Sequence, residues 1–443
     1  MYQYIGNAYV NAETSERVYC IAGKEFGAEV EGQTVIIVKA LYGLASSSRQ
    51  WHAMLAKTLR SAGWRPTRYD RDVWIRLHKK SQTYEYITTY VDDFMIFSRE
   101  TQPIMDWFKS KFTIKGDGPP DYYLGNDFKQ NSHTKKWTIG CRKYIKDALE
   151  KIEGIHGQQL KRDNPCDPDI HLEIDQSPLL GASQHRQYQQ LIGILNWIMQ
   201  IGRVDIAYAT TSLARFVAAP RRNHMKHALY VFGYLKKHPN RRITVDSRNP
   251  IFDYGEELLK DDIRTKMQGQ YPEALEEIDI DVPKPIMPEM SLMVMVDSDH
   301  AHDKVSRRSI TGMVTFLGRT PIQGSARRQG SIETSTYSAE FNAMRSATEE
   351  VIALRYMLRC LGVRVTRPTP VFGDNLSVIT NIIKDDSLLK KKHVSISFNK
   401  TRECVAAGII HPIKVESVNN FADLFTKALP TKQFSNLVGG MLR

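Results

Sequence analysis

The stretch TTYVDDFMIF, Thr88 to Phe97, decides the reading of the first part of the chain. Before it Tyr86, Thr88 and Tyr90 alternate, and after it Phe94, Ile96 and Ser98 alternate. A period of two on both sides of an acidic pair predicts two antiparallel strands joined by a tight turn, with Asp92 and Asp93 at its tip. Neighbouring carboxylates repel unless a cation neutralises them, and hard oxygen ligands suit Mg²⁺, which also binds phosphates. A solvated Asp-Asp turn is the plain alternative for any such pair.

Outward from the hairpin, VIIVKALYGL (35–44) starts as a β-branched strand. KYIKDALEKI (143–152) spaces Tyr144, Ala148 and Ile152 as one face of a helix. The proline-punctuated NPCDPD opens a second stretch with two helical runs, YQQLIGILNWIMQ (188–200) and KHALYVFGYLKKH (226–238). From 251 to 290 acids dominate and the end is proline-rich, which fits an exposed, poorly ordered linker or excursion at a domain boundary. In the last stretch SLMVMVDSD predicts a strand with Leu292, Val294 and Val296 on one face, and TGMVTFLG (311–318) a second. Residues 338–362 predict a long helix with Ser338 as N-cap, Phe341, Ala347, Val351, Leu354 and Leu358 as its apolar stripe, and Gly362 just past its end. Acids recur beside these apolar segments: Asp297, Glu340, Asp374 and Asp423. Four acids from four elements converging on one place is what two-metal phosphoryl chemistry needs, although each alone reads as an ordinary exposed acid.

The chain has 443 residues, 42% hydrophobic and 25% charged, which excludes a wholly disordered, collagen-like or coiled-coil protein. No apolar run reaches the roughly 18–20 residues of a membrane-spanning helix, and MYQYIGNAYV does not read as a signal peptide. The expected setting is intracellular, cytoplasm or nucleus, with no membrane partner. Cys20, Cys141, Cys166, Cys360 and Cys404 lie too far apart to suggest a zinc site or a disulfide framework. Lys plus Arg outnumber Asp plus Glu by 61 to 49, a balance that suits a polyanion such as nucleic acid.

Together these strings resemble the reverse transcriptase–ribonuclease H region of copia-type LTR retrotransposon polyproteins. LYGLASSSRQWH (41–52) is similar to the family's LYGL…W motif, TTYVDDFMIF to its YVDD hairpin, and YYLGNDF (122–128) to its primer-grip region. YQQLIGILNWIMQIGRVDIAYATTSLARF (188–216) resembles its connection, and VDSDH, STYSAEFNAM, GDN and FADLFTKALP its ribonuclease H motifs. The resemblance runs in the family's order over nearly the whole chain apart from 251–290. It implies an α+β fold: a partial palm and thumb over 1–165, a helix-rich connection over 166–250, and an RNase H-like domain with a mixed five-stranded sheet over 291–443.

Carried over residue by residue, the resemblance makes Asp92 and Asp93 palm metal ligands and Asp297, Glu340, Asp374 and Asp423 the ribonuclease H ligands, with two Mg²⁺ or Mn²⁺ ions per intact site. Tyr9 becomes the aromatic that excludes a ribose 2′-hydroxyl. Gly43, Tyr90, Leu124 and Gly125 become nucleotide- or primer-contacting residues. The implied partners are an RNA–DNA hybrid, a template-primer and, for an active polymerase, deoxynucleoside triphosphates. One departure bears on function. The family opens its palm with Asp in a pattern like D-I-x-N-A-Y, and Tyr4 stands there in Tyr4-Ile5-Gly6-Asn7-Ala8-Tyr9. A neutral phenol is a poor Mg²⁺ ligand. The chain also opens almost at this motif, so a fragment is expected, without the fingers, protease and integrase regions. Lys392-His393 is followed by Val394 and Ser395, where family members often carry Asp.

The expected function is RNA hydrolysis in RNA–DNA hybrids with impaired RNA-directed DNA synthesis; the alternative is a non-catalytic nucleic-acid-binding remnant of a degenerate element. Several side chains have two readings. His393 contacts phosphate or lies in a solvated basic loop. Trp51 stacks a base or sits in the core, and Trp197 is expected in the core. Arg221, Arg222, Lys226, Lys236 and Lys237 track a duplex or form a solvated helix face.

Overall fold

Strands Thr83–Tyr90 and Asp93–Phe97 form an antiparallel hairpin with Tyr86 opposite Phe97 and Tyr90 opposite Asp93. The computed structural model describes residues 1–116, 118–168, 170–249, 261–384 and 395–443. These residues make two units, each with its own core. One comprises Met1–Tyr123, Asp281–Pro288 and Met357–Arg364; the other comprises Leu124–Ile280, Glu289–Tyr356 and Val365–Arg443.

In the first unit the hairpin is the middle of a six-stranded antiparallel sheet. Its order is Arg65–Pro66, Val73–His78, Thr83–Tyr90, Asp93–Phe97, Tyr2–Ile5, Ile114–Lys115. Helices Ser47–Ser61 and Gln102–Lys111 share one core with it, built from Trp51, Leu55, Leu59, Ile87, Phe94, Ile96, Ile104 and Phe108. The alternation in YEYITTY is real, but the buried set is Glu85, Ile87 and Thr89, while Tyr90 is exposed. Aromatic side chains alone did not identify the core face, because Arg76 pairs with Glu85 at 2.9 Å and lets that carboxylate be buried.

In the second unit helices Arg142–His156, Ala182–Gln200, Ala207–Ala214 and Arg222–Lys237 pack around Ile145, Ile152, Leu191, Leu195, Val231 and Phe232. Ile145 is buried where Tyr144 was expected; Tyr144 only packs against the cluster's edge. The same unit holds a five-stranded sheet ordered Thr320–Arg328, Ile310–Leu317, Leu292–Asp299, Thr369–Gly373, Ile410–Lys414. The first two pairings are antiparallel and the last two parallel. Met293 and Met295 enter one core cluster and Val294 and Val296 the other. Both faces of the central strand are thus covered, which explains its continuous apolar run.

Helix Thr336–Cys360 buries the whole expected stripe. It starts earlier than expected: Ser335 Oγ accepts from the Ser338 amide at 3.3 Å, so Ser335 caps the turn and Ser338 lies buried inside the helix. Gly362 follows at φ +71°, the left-handed conformation that suits glycine after a helix.

The acidic stretch packs more than its composition suggested. Helix Asp261–Gln270 buries Met267 completely in the core that also holds Val294 and Phe341. Glu276 receives two hydrogen bonds, at 2.8 and 2.7 Å, from the buried Arg355 guanidinium. Acids counted along a chain look solvated; one paired with a buried arginine is not. Residues 251–260 of this stretch lie outside the described residues.

Candidate active sites

Strand Leu292–Asp299 runs parallel to Thr369–Gly373 with Met295 beside Phe372. Two residues further along each lie Asp297 and Asp374, so the parallel register carries both carboxylates to the same end of the sheet. Glu340, in the first turns of helix Thr336–Cys360, completes a group whose carboxylate oxygens lie within 4.8 Å of one another. Asp423, outside that group of three, comes from the short 3-10 helix Phe421–Phe425 and lies near enough to Asp297 to feel its charge.

Neighbours that the motifs did not announce fix these acids. Thr426 Oγ1 donates to Asp297 Oδ2 at 2.6 Å, and Ser417 Oγ donates to Asp374 Oδ2 at 2.8 Å. Asn420, fully buried, donates from Nδ2 to the Val296 carbonyl at 3.1 Å and accepts from the Ala422 amide at 3.1 Å, tying the 3-10 helix to the strand. Gly312 faces Asp297 across the antiparallel pair, and a Cβ there would stand 2.6 Å from the Ala422 carbonyl and 2.6 Å from Thr426 Cγ2. Only a missing side chain lets Phe421–Phe425 lie this close. Lys427 Nζ sits 3.2 Å from Asp423 Oδ1. In FADLFTK, Thr and Lys three and four residues after Asp423 were the available signal.

Crowded acids resist joint ionisation. Burial, then the charges of Asp297 and Asp374, push Glu340 up to about 9. Burial, then Asp297, push Asp423 up to about 7, against the pull of Lys427. An all-oxygen donor set that holds protons because it is buried and its charges are crowded suits hard divalent cations.

The first unit carries the other acidic pair. Asp92 and Val91 form the hairpin loop, and Val91 is at φ +55°, an uncommon conformation for a β-branched residue. Trp51 Nε1 donates to the Val91 carbonyl at 2.6 Å, so the tryptophan is buried and holds the turn rather than facing solvent for a base. Tyr4 pairs with Asp93 across the adjacent strand, where the missing carboxylate was expected. Tyr2, unmentioned by any motif, donates its hydroxyl to Asp93 Oδ1 at 2.8 Å. Burial raises Asp93 above the ordinary carboxylate range, and Asp92 adds to this against the Tyr2 hydrogen bond. Tyr9 meets the Tyr42 ring at 4.5 Å, and Gly43 stands at φ +99° with open space around it.

In the second unit Leu124 and Gly125 both have positive φ, +48° and +85°, and a Cβ on Gly125 would stand 3.2 Å from Trp197 Nε1. Trp197 is 40% exposed rather than in the core. Of the basic group, Lys236 and Lys237 pair with Glu153 and Asp163 at 2.6 and 2.5 Å, Arg221 donates to the Ser177 carbonyl, and Arg222 and Lys226 are exposed. His393 and Lys390 to Lys392 lie outside the described residues.

Residues 3–160 match the family described as reverse transcriptase (RNA-dependent DNA polymerase). Over 98% of its length the chain is 24% identical to the retrovirus-related Pol polyprotein from transposon RE1 of Arabidopsis thaliana, covering 26% of that protein. It is 22% identical over 97% of its length to the Pol polyprotein from transposon TNT 1-94 of Nicotiana tabacum, and 22% identical over 98% to the transposon Ty1-BL Gag-Pol polyprotein of Saccharomyces cerevisiae. Over nearly its whole length the chain is thus similar to the Pol polyproteins of retrotransposons. It spans 30% and 23% of the length of the tobacco and yeast relatives. A foamy viral protease-reverse transcriptase in complex with RNA/DNA hybrid aligns over 97% of this chain and 45% of that one, at 12% identity and a TM-score of 0.48. The same viral protein with dsDNA aligns over 94% and 67%, at 11% identity and a TM-score of 0.46. Among the described residues, no helix is long and apolar enough to cross a membrane.

Proposed function

We propose that the chain hydrolyses the RNA strand of RNA–DNA hybrids at the Asp297 cluster and that its DNA-polymerising site is impaired. The observation that carries the first half is the convergence of Asp297, Glu340 and Asp374 within 4.8 Å, with Asp423 close enough to Asp297 to feel its charge. These four carboxylates would hold two Mg²⁺ or Mn²⁺ ions. Bound divalent ions supply an activated water and a counter-charge for the leaving oxygen. The chain's own contribution is positioning: Thr426 and Ser417 fix the rotation of Asp297 and Asp374, and Asn420 holds the segment that brings Asp423 in.

For the polymerase half, Tyr4 beside Asp93 leaves two carboxylates where the family has three, and the Tyr2 hydroxyl occupies one Asp93 oxygen. In the first unit, template-primer and deoxynucleoside triphosphates would meet Asp92, Asp93, Tyr9, Gly43 and Tyr90; in the second, Leu124 and Gly125 are the primer-contacting candidates. Weakened metal binding would misalign the attacking hydroxyl and the α-phosphate.

The full chain tests this with a hybrid carrying labelled RNA. Cleavage is expected with Mg²⁺ or Mn²⁺, single-stranded RNA is spared, and primer extension stays at background. Asp374→Asn, nearly isosteric, should abolish cleavage with hybrid binding and circular dichroism unchanged. Parent-level cutting by that variant would end the assignment; binding without cutting under either metal would replace it with the non-catalytic reading.

A further inference from the structure

The first unit has a second chemically distinctive place. A cleft of about 420 Å³ lies along helix Ser47–Ser61, bordered by His52, Arg60, Thr67, Arg68, Arg71 and Trp74, with only alanine and proline besides. Its polar groups donate almost without exception. Three guanidinium groups carry donors and no acceptor. Trp74 is 1% exposed, and its indole N–H has no acceptor among the described residues. The Thr67 hydroxyl is already used, donating to the Asp70 carbonyl at 2.7 Å and accepting from the Asp70 amide at 3.1 Å. His52 Nε2 meets Asp72 Oδ1 at 3.0 Å.

Among the described residues no carboxylate lines the cleft itself, although Asp72 and Asp281 pair with His52 and Arg68 at its border. Arg68 is held by the exposed Asp281 at 2.7 Å, so one arginine already has an acidic partner. Arg60 lies over the Trp74 ring, 5.6 Å from its centroid. A concave place where three guanidinium groups and an unpartnered indole N–H outnumber the acceptors is complementary to an oxyanion that accepts from many directions at once.

The place also shares its frame with the acidic hairpin. Trp51, next to His52, bonds the Val91 carbonyl, and the Asp72 carbonyl accepts from the Thr89 amide at 2.9 Å. An anion bound here would lie on the same helix and strand that hold the YVDD turn. We infer that this cleft binds a phosphate group, contributed by the backbone of a nucleic-acid strand. The inference is independent of cleavage at Asp297 and of synthesis at Asp92 and Asp93.

The test uses the full chain in EDTA, so that no catalytic outcome enters. Two probes are titrated: a fluorescein-labelled 20-nucleotide single-stranded DNA, read by anisotropy over a salt series, and inorganic tripolyphosphate, read by calorimetry. Arg60→Gln with Arg71→Gln is compared with Lys79→Gln and Lys80→Gln, two exposed lysines in the turn between Val73–His78 and Thr83–Tyr90, outside the cleft. The arginine pair should weaken both probes at least fivefold and reduce the log–log salt slope for DNA by about 1.4, the loss of two phosphate contacts. Trp74→Phe, which keeps a ring and deletes the donor, should weaken tripolyphosphate.

Weakening of tripolyphosphate alone would keep the phosphate cleft and assign it to a free phosphorylated ligand, overturning the strand as its source. Unchanged binding of both probes in the arginine variant, or equal losses in the lysine control, would overturn the inference.

Discussion

At the scale of single residues, Glu340 is the side chain with most at stake. Its carboxyl is raised from an ordinary 4.5 to about 9, so the folded, metal-free protein holds that proton more tightly than the unfolded chain does. The linked stability is fully present below about pH 4.5 and is lost as pH rises toward 9. Glu340→Gln keeps the shape and removes the titration. In EDTA at pH 9 it should melt several degrees higher than the parent, with little difference at pH 4, while losing hybrid cleavage. Equal melting shifts at both pH values would refute the assignment of strain to this carboxyl. Because binding a cation releases the protons on Glu340 and Asp423, apparent Mg²⁺ affinity should climb between about pH 7 and 9, measurable by calorimetry in two buffers.

At the scale of elements, two glycines make opposite predictions. Gly312 exists for a close approach: an alanine methyl would press on the backbone of Phe421–Phe425. Gly312→Ala should cost about 1–3 kcal/mol in urea unfolding and lower cleavage by shifting Asp423. Gly154, in helix Arg142–His156, has nothing within 4 Å of a built Cβ. Gly154→Ala should stabilise the second unit by roughly 0.5–1 kcal/mol through backbone entropy and leave cleavage alone. If both variants behaved alike, packing around Gly312 would not be what places the 3-10 helix. The hairpin shows the same logic, since Val91 tolerates its left-handed φ while Trp51 holds its carbonyl.

At the scale of the second unit as a whole, the GRVDIAYA run owes its character to a buried ion pair. Arg203 forms two bonds to Asp205 at 2.9 and 2.8 Å and a third to the His238 carbonyl at 2.9 Å, with both partners essentially inaccessible. Tyr234 donates to the same carboxylate, and Arg241 approaches to 3.6 Å. The pair joins the helix-rich part to the core that also lines the five-stranded sheet, which includes Val204, Tyr234 and Phe434. Asp205→Ala should cost about 3–5 kcal/mol, because it leaves a buried guanidinium unpaired. Burial opposes ionisation of Asp205, but Arg203 outweighs it and holds the carboxyl below its ordinary 3.8. Its stabilisation is therefore present above about pH 3.8 and is lost as pH falls through the depressed folded value. An acid unfolding curve for the parent that matched Asp205→Asn would show that the pair carries no such linkage.

The sequence by itself determined the strands and their periods, the long helix and its stripe, and the identity of the acids, because hydrophobic spacing and charged residue types are local properties. It also placed Tyr4 beside the acidic hairpin by motif order, and the structure pairs Tyr4 with Asp93. Tertiary structure alone decided which face was buried, as Ile87 rather than Tyr86 shows, and whether an acid was solvated, as Glu276 beside Arg355 shows. It alone supplied the partners of the acids, Thr426, Ser417 and Tyr2, and the donor-rich cleft at Trp74. The physical reason is that each of these depends on groups distant in sequence meeting within a few ångströms, where dielectric, hydrogen bonding and close packing are set by neighbours that no local window contains.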